Sequence, residues 1–368
     1  MPSARPRRSL ARRALLLAAC LSAGASALRA APPVAVGAFP SVAGRGDSRS
    51  DQTIRVLLGR AASGEMVGRD DAGLAIWKGR RYRGEIDLMP DGSGLAVINR
   101  VGLEDYLRGV LPGEIGSRDP RDRAALQAQA VAARSYAAAR MGERRPLYDV
   151  TATVSDQVYG GQSAERPATD DAVRDTRSLV LTWGDRIITA PYHAHGGEVT
   201  AAPIEVWKRA SEPYLQPVSD RTAAGGCFCD ASGNQGWERR FTFAELESLL
   251  RRHGREAGVL TVGDVRAVRV GSRGPSGRVT SLEIEMGMGR AIVRGNDIRS
   301  VLRQGGAILP STSFQLEVSG PLVVLRGVGN GHGVGMSQWG AIGRARAGQD
   351  ARTILAAYYP GTRLSPLL

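Results

Sequence analysis

A single carboxylate closes an apolar stretch of the chain, LRGVLPGEI at residues 107–115. A carboxyl group in partly apolar surroundings keeps its proton to a higher pH, and it can then protonate a leaving oxygen near neutrality. Leu111 and Ile115 are the neighbours that would supply such surroundings for Glu114. The same residues also fit a solvated glutamate in an ordinary turn, so the local sequence leaves both interpretations open.

Hydrolytic glycosidases usually need a second carboxylate as base or nucleophile. Glu104 and Asp105 precede Glu114 in the same segment, and Glu198 follows a His-Gly-Gly turn. Residues of this type are more often found at the surface or at a helix cap, and the sequence does not show which of the three would be the second carboxylate. A single-acid mechanism is therefore open, in which Glu114 donates a proton to the glycosidic oxygen and then accepts one from the sugar's own hydroxyl group.

A second group of reactive side chains comes from YHAHGG at residues 192–197 and CFC at 227–229. Two imidazoles and two thiols, from His193, His195, Cys227 and Cys229, would complete a tetrahedral zinc site. The histidines would share one face of a strand, but a Cys-x-Cys pair can chelate only through a tight turn. A Cys227–Cys229 disulfide, free thiols, or histidines lining a substrate groove are the alternatives.

A third candidate is GNGHGVGMSQWG at residues 329–340, where five glycines surround His332. Glycine allows backbone N–H groups and a ring nitrogen to approach a ligand closely. The segment is not a phosphate-binding P-loop, because no Gly-Lys-Ser/Thr follows, and it lacks the G-x-G-x-x-G spacing of a dinucleotide fold. By itself it fits a tight structural turn as well as a binding site.

The elements that must position these residues are mixed. Four short β-type segments from Thr53 onward predict a small antiparallel sheet. Asp119 as N-cap and Pro120 as first residue predict a long helix that continues to Gly142. This placement puts Glu114 in the turn before the helix, where the helix dipole would act on it. Small residues at helical spacing predict that the helix is buried: Ala125, Ala128, Ala132, Ser135 and Ala139.

Later segments continue the mixture. LVLTW and RIITAPYHAHGG predict strands that meet at residues 184–185, and a helix is expected near Phe243 to His253. Residues 266–327 return to strands with a short helix around Asn296 to Arg303, and two helical segments follow at the end. The fold class predicted is α+β, with small sheets around a buried Ala-rich helix and an inserted, mostly β region at about 240–325.

The amino-terminal segment has the layout of an export signal, with arginines, a short apolar centre and then small residues. It is predicted to comprise residues 1–27, or residues 1–19 if the LAAC box directs lipidation of Cys20. Residues 28–52 are rich in Pro, Gly and Ala and indicate a tether before a domain at 53–368. No later stretch has the ~18 to 20 apolar residues of a spanning helix. The expected location is the periplasm or cell envelope, as a soluble or lipid-anchored protein.

The chain is basic, with a net charge of +13, of which residues 1–27 contribute five arginines. An exported basic protein is expected to meet anionic envelope polymers or lipid head groups, and we expect no nucleic-acid partner. Lysine occurs only at Lys78 and Lys208, which also indicates a general preference for arginine.

Seven segments together resemble the SpoIID/LytB family, that of stage II sporulation protein D and the amidase enhancer LytB. The segments are GLEDYLRGVLPGEIG, AALQAQAVAARSYAAAR, DQVYGGQ, ITAPYHAHGGEVT, PYLQPVSD, GHGVGMSQWGA and ILAAYYPGTRL. They extend from about residue 53 to the end. Any one of them would be weak evidence, whereas their joint occurrence is specific.

The resemblance implies an exported protein that acts on peptidoglycan. Sporulation members of the family are lytic transglycosylases, which cleave glycan strands already stripped of stem peptides by an amidase and leave a 1,6-anhydro end on N-acetylmuramic acid. The family's catalytic glutamate corresponds to Glu114, and a single acid suffices because the anhydro product needs no water. No nucleotide or organic cofactor is implied. A non-catalytic, glycan-binding enhancer of a cell-wall amidase is the rival hypothesis.

The resemblance also implies a glycan groove lined by Gly-rich turns. The residues expected to line it are Gln157, Tyr159, His193, His195, Gly196, Gly197 and His332, with Arg134, Tyr136, Ser337 and Gln338 as weaker candidates. Some sporulation members bind zinc through cysteines and a histidine just before the position of Gln157, but YDVTATVSDQVYGG has neither residue type, so that site is not carried over. A cluster of His193 and His195 with the two cysteines would be local to this branch. No sporulation role is assigned.

Overall fold

The computed structural model describes residues 52–367, apart from 63, 93, 117, 144, 208, 234 and 261–262. The predicted export signal, Cys20 and almost all of the tether lie outside the described residues. Of the described residues, about 29% are helical and 33% are in strands, which confirms the α+β class.

The strands are short, and most of them form antiparallel pairs. They are β1 (Thr53–Ala61), β2 (Gly68–Arg69), β3 (Ala75–Trp77), β4 (Arg80–Tyr82), β5 (Glu85–Asp91), β6 (Gly94–Gly102), β7 (Val150–Thr151), β8 (Leu179–Trp183), β9 (Arg186–Ile187), β10 (Tyr192–His193), β11 (Gly236–Thr242), β12 (Val265–Arg273), β13 (Val279–Met286), β14 (Gly289–Arg294), β15 (Phe314–Ser319), β16 (Leu322–Val328), β17 (Met336–Ser337) and β18 (Arg363–Pro366).

The α-helices vary from four to twenty residues. They are α1 (Leu103–Glu114), α2 (Arg123–Gly142), α3 (Pro167–Asp175), α4 (Pro203–Val206), α5 (Phe243–His253), α6 (Asp297–Val301), α7 (Gln338–Arg346) and α8 (Ala351–Tyr358). Within the described part of the chain, none of the helices is long and apolar enough to cross a membrane.

The first sheet has the strand order β5-β6-β1-β7 and leads directly into α1. In this sheet β1 and β6 are antiparallel, with Thr53 opposite Gly102 at one end of the pair. Strand β7 pairs with β1 in parallel. The second of the four predicted β-type segments, GLAIWKG at residues 73–79, does not belong to this sheet, because β3 pairs with β2 and β4 in a separate sheet. Lys78 and Gly79, which both have positive φ, form a tight turn that pairs β3 with β4 in a hairpin outside the first sheet.

The Ala-rich helix α2 is buried, as predicted. Ala125, Ala128, Ala132 and Ser135 have no exposed surface, while Ala139 near the end is partly exposed. Helices α1, α3, α7 and α8 and strand β8 all pack on α2. Small side chains permit this because they let neighbouring backbones approach on several sides.

Residues 236–328 build a second hydrophobic cluster, separate from the one around α2. Sheets β11-β16-β15 and β12-β13-β14 contribute to it, as do α5 and α6. Phe241, Ile284 and Leu325 are buried members of this second cluster. The predicted helices near Phe243 and Asn296 are confirmed as α5 and α6.

The segment RIITAPYHAHGG is not one continuous strand. Within it, only β9 and β10 form strands, and β10 pairs in parallel with β17 from the Gly-rich segment near the end. Pro191, which has no N–H to donate to a ladder, lies immediately before β10. The break lets the chain leave one sheet and join a strand more than 140 residues later.

Candidate functional site

Glu114 is the last residue of α1, and its position differs from the one predicted. Helix α2 begins only at Arg123, after a 3-10 turn, Pro120–Asp122, which Asp119 caps by accepting from the Arg121 N–H. The C-terminal end of a helix carries partial negative charge, which opposes ionisation of a nearby carboxyl group. The helix end at Glu114 thus favours the protonated acid, in contrast to the helix start that the sequence predicted.

The carboxyl group of Glu114 is partly buried and is held by one backbone donor. The Val158 N–H donates to Glu114 Oε1 at 2.6 Å. Burial raises the pKa of Glu114 to about 7, against a smaller lowering by this hydrogen bond. A glutamate with such a pKa is half protonated at neutral pH and can act as an acid and then as a base.

The three other carboxylates considered as a second acid are engaged elsewhere. Glu104 forms a buried ion pair with Arg134, with both N–O distances at 2.8 Å. Asp105 pairs with Arg108, and Glu198 forms a salt bridge with Arg221. Each of these three carboxylates therefore has an arginine partner, whereas Glu114 accepts a hydrogen bond from a backbone N–H.

Two glycines on one face of α1 allow the segment 158–161 to lie against the helix. A Cβ on Gly109 would lie 2.5 Å from Tyr159 Cε2, and one on Gly113 would lie 3.0 Å from Val158 Cγ1. The Gly160 N–H donates to Gly109 O at 3.0 Å. The spacing of four residues puts both glycines on the same helix face. This close contact brings the Val158 N–H to Glu114.

Gln157 is fully buried and connects two tyrosines near Glu114. Tyr106 Oη donates to Gln157 Oε1 at 3.0 Å, and Gln157 Nε2 donates to Tyr192 Oη at 2.9 Å. Burial, and in addition the charge of Glu114, raises the pKa of Tyr192 well above its usual value. The tyrosine hydroxyl therefore lies near the acid as a neutral group. Sequence reasoning named Gln157 but not Tyr192.

Two other predicted residues, Tyr159 and Arg134, belong to the core, and Tyr136 is half-buried against it. Tyr159 is 3% exposed, donates to Asn99 Oδ1 at 2.9 Å and packs on the Tyr106 ring. Arg134 is fully buried in its pair with Glu104, and the Tyr136 hydroxyl donates to Asp156 Oδ1 at 2.8 Å. Their position indicates that they support the site from behind.

The two Gly-rich turns meet beside β10 and β17. His195 and Asn330 exchange backbone hydrogen bonds of 2.8 and 3.0 Å. Ser337 Oγ accepts from the Gly196 N–H and from the Gly340 N–H, both at 3.2 Å, and so caps α7. Gly197 adopts φ +71°, a conformation that favours glycine. Gln338, at the start of α7, is buried and donates to Gln129 Oε1 at 3.4 Å.

The site contains three histidines that are neutral at physiological pH: His193, His195 and His332. Burial lowers the pKa of His332 to about 3 and lowers that of His193 well below its usual value. Their ring centroids are 5.4 Å apart, and the His332 ring lies 5.0 Å from that of Trp207. His195 Nδ1 accepts from the Gly197 N–H at 3.1 Å, and its pKa is also lowered by burial.

The predicted zinc cluster is not formed. Cys227 and Cys229 are joined in a disulfide, which was one of the alternatives, and a disulfide sulfur is not the thiolate that binds zinc. In the part of the chain that the structure describes, the group of donor atoms within 4.8 Å of one another comprises Cys227, Cys229 and Asp230. Neither His193 nor His195 belongs to this group: His193 Nδ1 hydrogen-bonds the Val334 carbonyl, and His195 Nδ1 accepts from the Gly197 N–H.

Arg278 extends from the second cluster into the junction of the two turns. It is 1% exposed, and its Nη2 donates to Gly196 O at 2.5 Å. A Cβ on Gly333 would lie 2.6 Å from Arg278 Cζ, so the turn rests on the guanidinium plane. Burial lowers the pKa of Arg278 to about 10, and the side chain stays charged at pH 7. Sequence reasoning missed this residue because it lies in a β region with no catalytic motif.

Comparison with known proteins defines the family. The family model described as Stage II sporulation protein matches residues 91–183, which include α1, α2 and Glu114. An uncharacterized protein of Brachyspira hyodysenteriae is 30% identical over 285 residues, which cover 77% of this chain and 72% of that protein. The amidase enhancer of Bacillus subtilis is 28% identical over 293 residues, and stage II sporulation protein D of the same species is 26% identical over 284. The chain belongs to the SpoIID/LytB family.

The matches cover different shares of the SpoIID/LytB relatives. They include 76% of the sporulation protein but 40% of the amidase enhancer. Residues 229–335 match a model of a domain of unknown function, DUF8618, and this range contains Arg278 and the whole second hydrophobic cluster. Family membership gives the chain a cell-wall-related role.

Glu114→Gln in this SpoIID/LytB protein is expected to change how its stability depends on pH. The folded pKa of about 7 exceeds the ordinary 4.5, so folding favours the protonated form and wild-type stability decreases as pH rises from 4.5 to 7. Glutamine can accept the same Val158 N–H without a charge. The variant should match the wild type at pH 4 and exceed it at pH 8 by up to about 3 kcal/mol in free energy of unfolding. Urea unfolding of both proteins at pH 4 and pH 8 tests this prediction. If the variant and the wild type differed in free energy of unfolding by the same amount at both pH values, the prediction would be wrong.

Proposed function

We propose that this chain is a lytic transglycosylase that cleaves peptidoglycan glycan strands from which an amidase has removed the stem peptides. The observation that carries the proposal is the state of Glu114. It is partly buried, has a pKa of about 7 and is oriented by the Val158 N–H. Such a group can serve as acid and base in succession, and the engagement of the other carboxylates supports a mechanism with one acid.

In the proposed reaction, the protonated Glu114 donates its proton to the glycosidic oxygen that joins N-acetylmuramic acid to the next sugar. The C1–O bond breaks, and the positive charge that develops on C1 is shared with the ring oxygen. The C6 hydroxyl of the same sugar then attacks C1, and its proton returns to the Glu114 carboxylate. A 1,6-anhydro ring forms, no water is consumed, and the acid is regenerated.

The surrounding groups have supporting roles in this proposal. The neutral Tyr192 hydroxyl lies near the acid and can donate to a sugar oxygen. Gly196, Gly197 and His332 are on the two turns that would line the groove, and Ser337 and Arg278 hold these turns together. The protein would act outside the cytoplasmic membrane, in the periplasm or cell envelope, either soluble or anchored at Cys20.

A second candidate function is a non-catalytic enhancer that binds glycan and stimulates a cell-wall amidase. The observation that favours it is the similarity to a relative named amidase enhancer, although the match covers 40% of that relative. A basic chain suits binding to an anionic wall polymer.

Product analysis separates the two functions. Purified protein is incubated with amidase-treated glycan strands, and the ends are identified by mass spectrometry. We expect 1,6-anhydro-N-acetylmuramic acid ends to accumulate with time and protein concentration. Amidase-treated strands left uncut, together with faster release of stem peptides from untreated peptidoglycan when an amidase is added, would reject the transglycosylase and support the enhancer.

A further inference from the structure

Arg118 lies in the loop between Glu114 and α2, and its side chain is held over an aromatic ring. Its guanidinium carbon is 4.6 Å from the ring centroid of Trp339, the second residue of α7. The Trp339 N–H donates to Ala194 O at 3.1 Å, which joins this helix to the YHAHGG turn. The stacked pair therefore connects the loop after the acid to the turns of the candidate groove.

The guanidinium of Arg118 has no anionic partner among the described residues. Its Nε is buried and without a hydrogen bond. Asp122, the acid that acts on its pKa, is bound by Arg346 at 2.7 and 3.0 Å. Burial lowers the pKa of Arg118, yet an arginine remains charged at neutral pH. Arg118 is half-buried and its Nε lacks a hydrogen-bond partner, which is unfavourable for a cation and which an anionic ligand would relieve.

The position of Arg118 relates it to the acid. A Cβ on Gly116 would lie 3.7 Å from Arg118 Nη2, so the side chain folds back along the loop. Gly116 is two residues after Glu114, and two residues extend over roughly 7 Å at most. A charged substituent on a sugar bound at the acid is therefore within reach of the guanidinium.

We propose that Arg118 binds the free lactyl carboxylate of N-acetylmuramic acid and makes the chain select strands without stem peptides. This inference rests on the proposed function. The stem peptide is joined to the lactyl group by an amide bond, so the carboxylate exists only after an amidase has cleaved that bond. The planar fork of a guanidinium matches a carboxylate with two parallel hydrogen bonds, and the Trp339 ring fixes the plane of the fork. The reaction that supplies this substrate is thus amide hydrolysis at the lactyl group.

A binding experiment tests the inference without turnover. The Glu114→Gln chain is titrated with amidase-treated strands and with the same strands after their carboxylates have been converted to methyl amides. We expect about ten- to hundredfold tighter binding of the carboxylate form. Adding Arg118→Gln should abolish this preference, whereas Arg118→Lys, which keeps the charge but not the fork, should retain part of it.

Arg121→Gln is the matched control, because it removes an equal charge from an exposed arginine three residues away. It should leave the preference unchanged. A preference that persists in Arg118→Gln, or one that Arg121→Gln abolishes equally, would overturn the inference. Thermal unfolding of each variant verifies the fold. If the wild type cuts no strands but the preference follows Arg118, the proposed enzyme fails while the binding site stands.

Discussion

Glu114→Gln is expected to reduce the rate of glycan cleavage by about 10³-fold while leaving the protein folded. Glutamine keeps the size of the side chain and can accept the hydrogen bond from the Val158 N–H, but it cannot donate or accept the catalytic proton. The same group acts in both halves of the proposed reaction, so its loss affects bond cleavage and ring closure alike. The rate of formation of anhydro ends, measured by mass spectrometry, gives the effect, and circular dichroism verifies the fold.

Glu198→Gln is the control for this substitution. Glu198 is an exposed acid in a salt bridge with Arg221, and the change of side chain is identical. The control should retain activity within about twofold, because an exposed ion pair contributes little to the structure. If Glu198→Gln lost as much activity as Glu114→Gln, two carboxylates would be required and the single-acid mechanism would be wrong.

The pH dependence provides a further check on Glu114. The acid must be protonated to start the reaction, so kcat/KM should decrease about tenfold for each pH unit above the pKa of about 7. The residual activity of Glu114→Gln should lack this decrease. If kcat/KM of the wild type instead decreased around pH 4.5, the Glu114 carboxyl group would be solvated. LRGVLPGEI would then contain an ordinary turn glutamate, the alternative that its sequence leaves open.

The sequence predicted helix α2 well because its signals are local. The recurring small residues lie within about 15 consecutive positions, whereas Asp119 and Pro120 begin a 3-10 turn and α2 itself begins at Arg123. The sequence places Glu114 in a turn because Asp119 and Pro120 predict a helix start just after it. In the folded chain α1 continues through Pro112 to Glu114, since packing of this turn against the segment 158–161 outweighs local preference.

The chemistry around Glu114 depends on contacts between distant parts of the chain. The Val158 N–H that binds it is 44 residues away, and Arg278 is 82 residues from the Gly196 carbonyl that it binds. No periodicity or spacing encodes such pairs. His193 Nδ1 and His195 Nδ1 likewise form hydrogen bonds with backbone groups of the turns, which the residue types alone do not indicate.

Gly109→Ala is expected to damage both stability and activity, because α1 has no space there for a side chain. The new Cβ would lie 2.5 Å from Tyr159 Cε2 and 3.0 Å from the Gly161 carbonyl oxygen. The Tyr159 ring cannot move freely, since it packs on Tyr82 and Tyr106. We expect the free energy of unfolding in urea to decrease by about 2 to 3 kcal/mol. Cleavage should decrease at least tenfold under conditions where the variant is folded, as a displaced Val158 no longer orients the acid.

Gly142→Ala separates the clash from helix propensity. Gly142 ends α2, and a Cβ there would have nothing within 4 Å. Alanine is the better helix former, so this variant should be unchanged or more stable by up to about 1 kcal/mol. Equal stabilities of the two variants would show that the close contact at Gly109 is not needed.

The pH profile of Gly109→Ala adds a test specific to the acid. The hydrogen bond from Val158 lowers the pKa of Glu114, so its loss in Gly109→Ala should move the decrease in activity to higher pH. A merely less stable protein would lose activity without this shift.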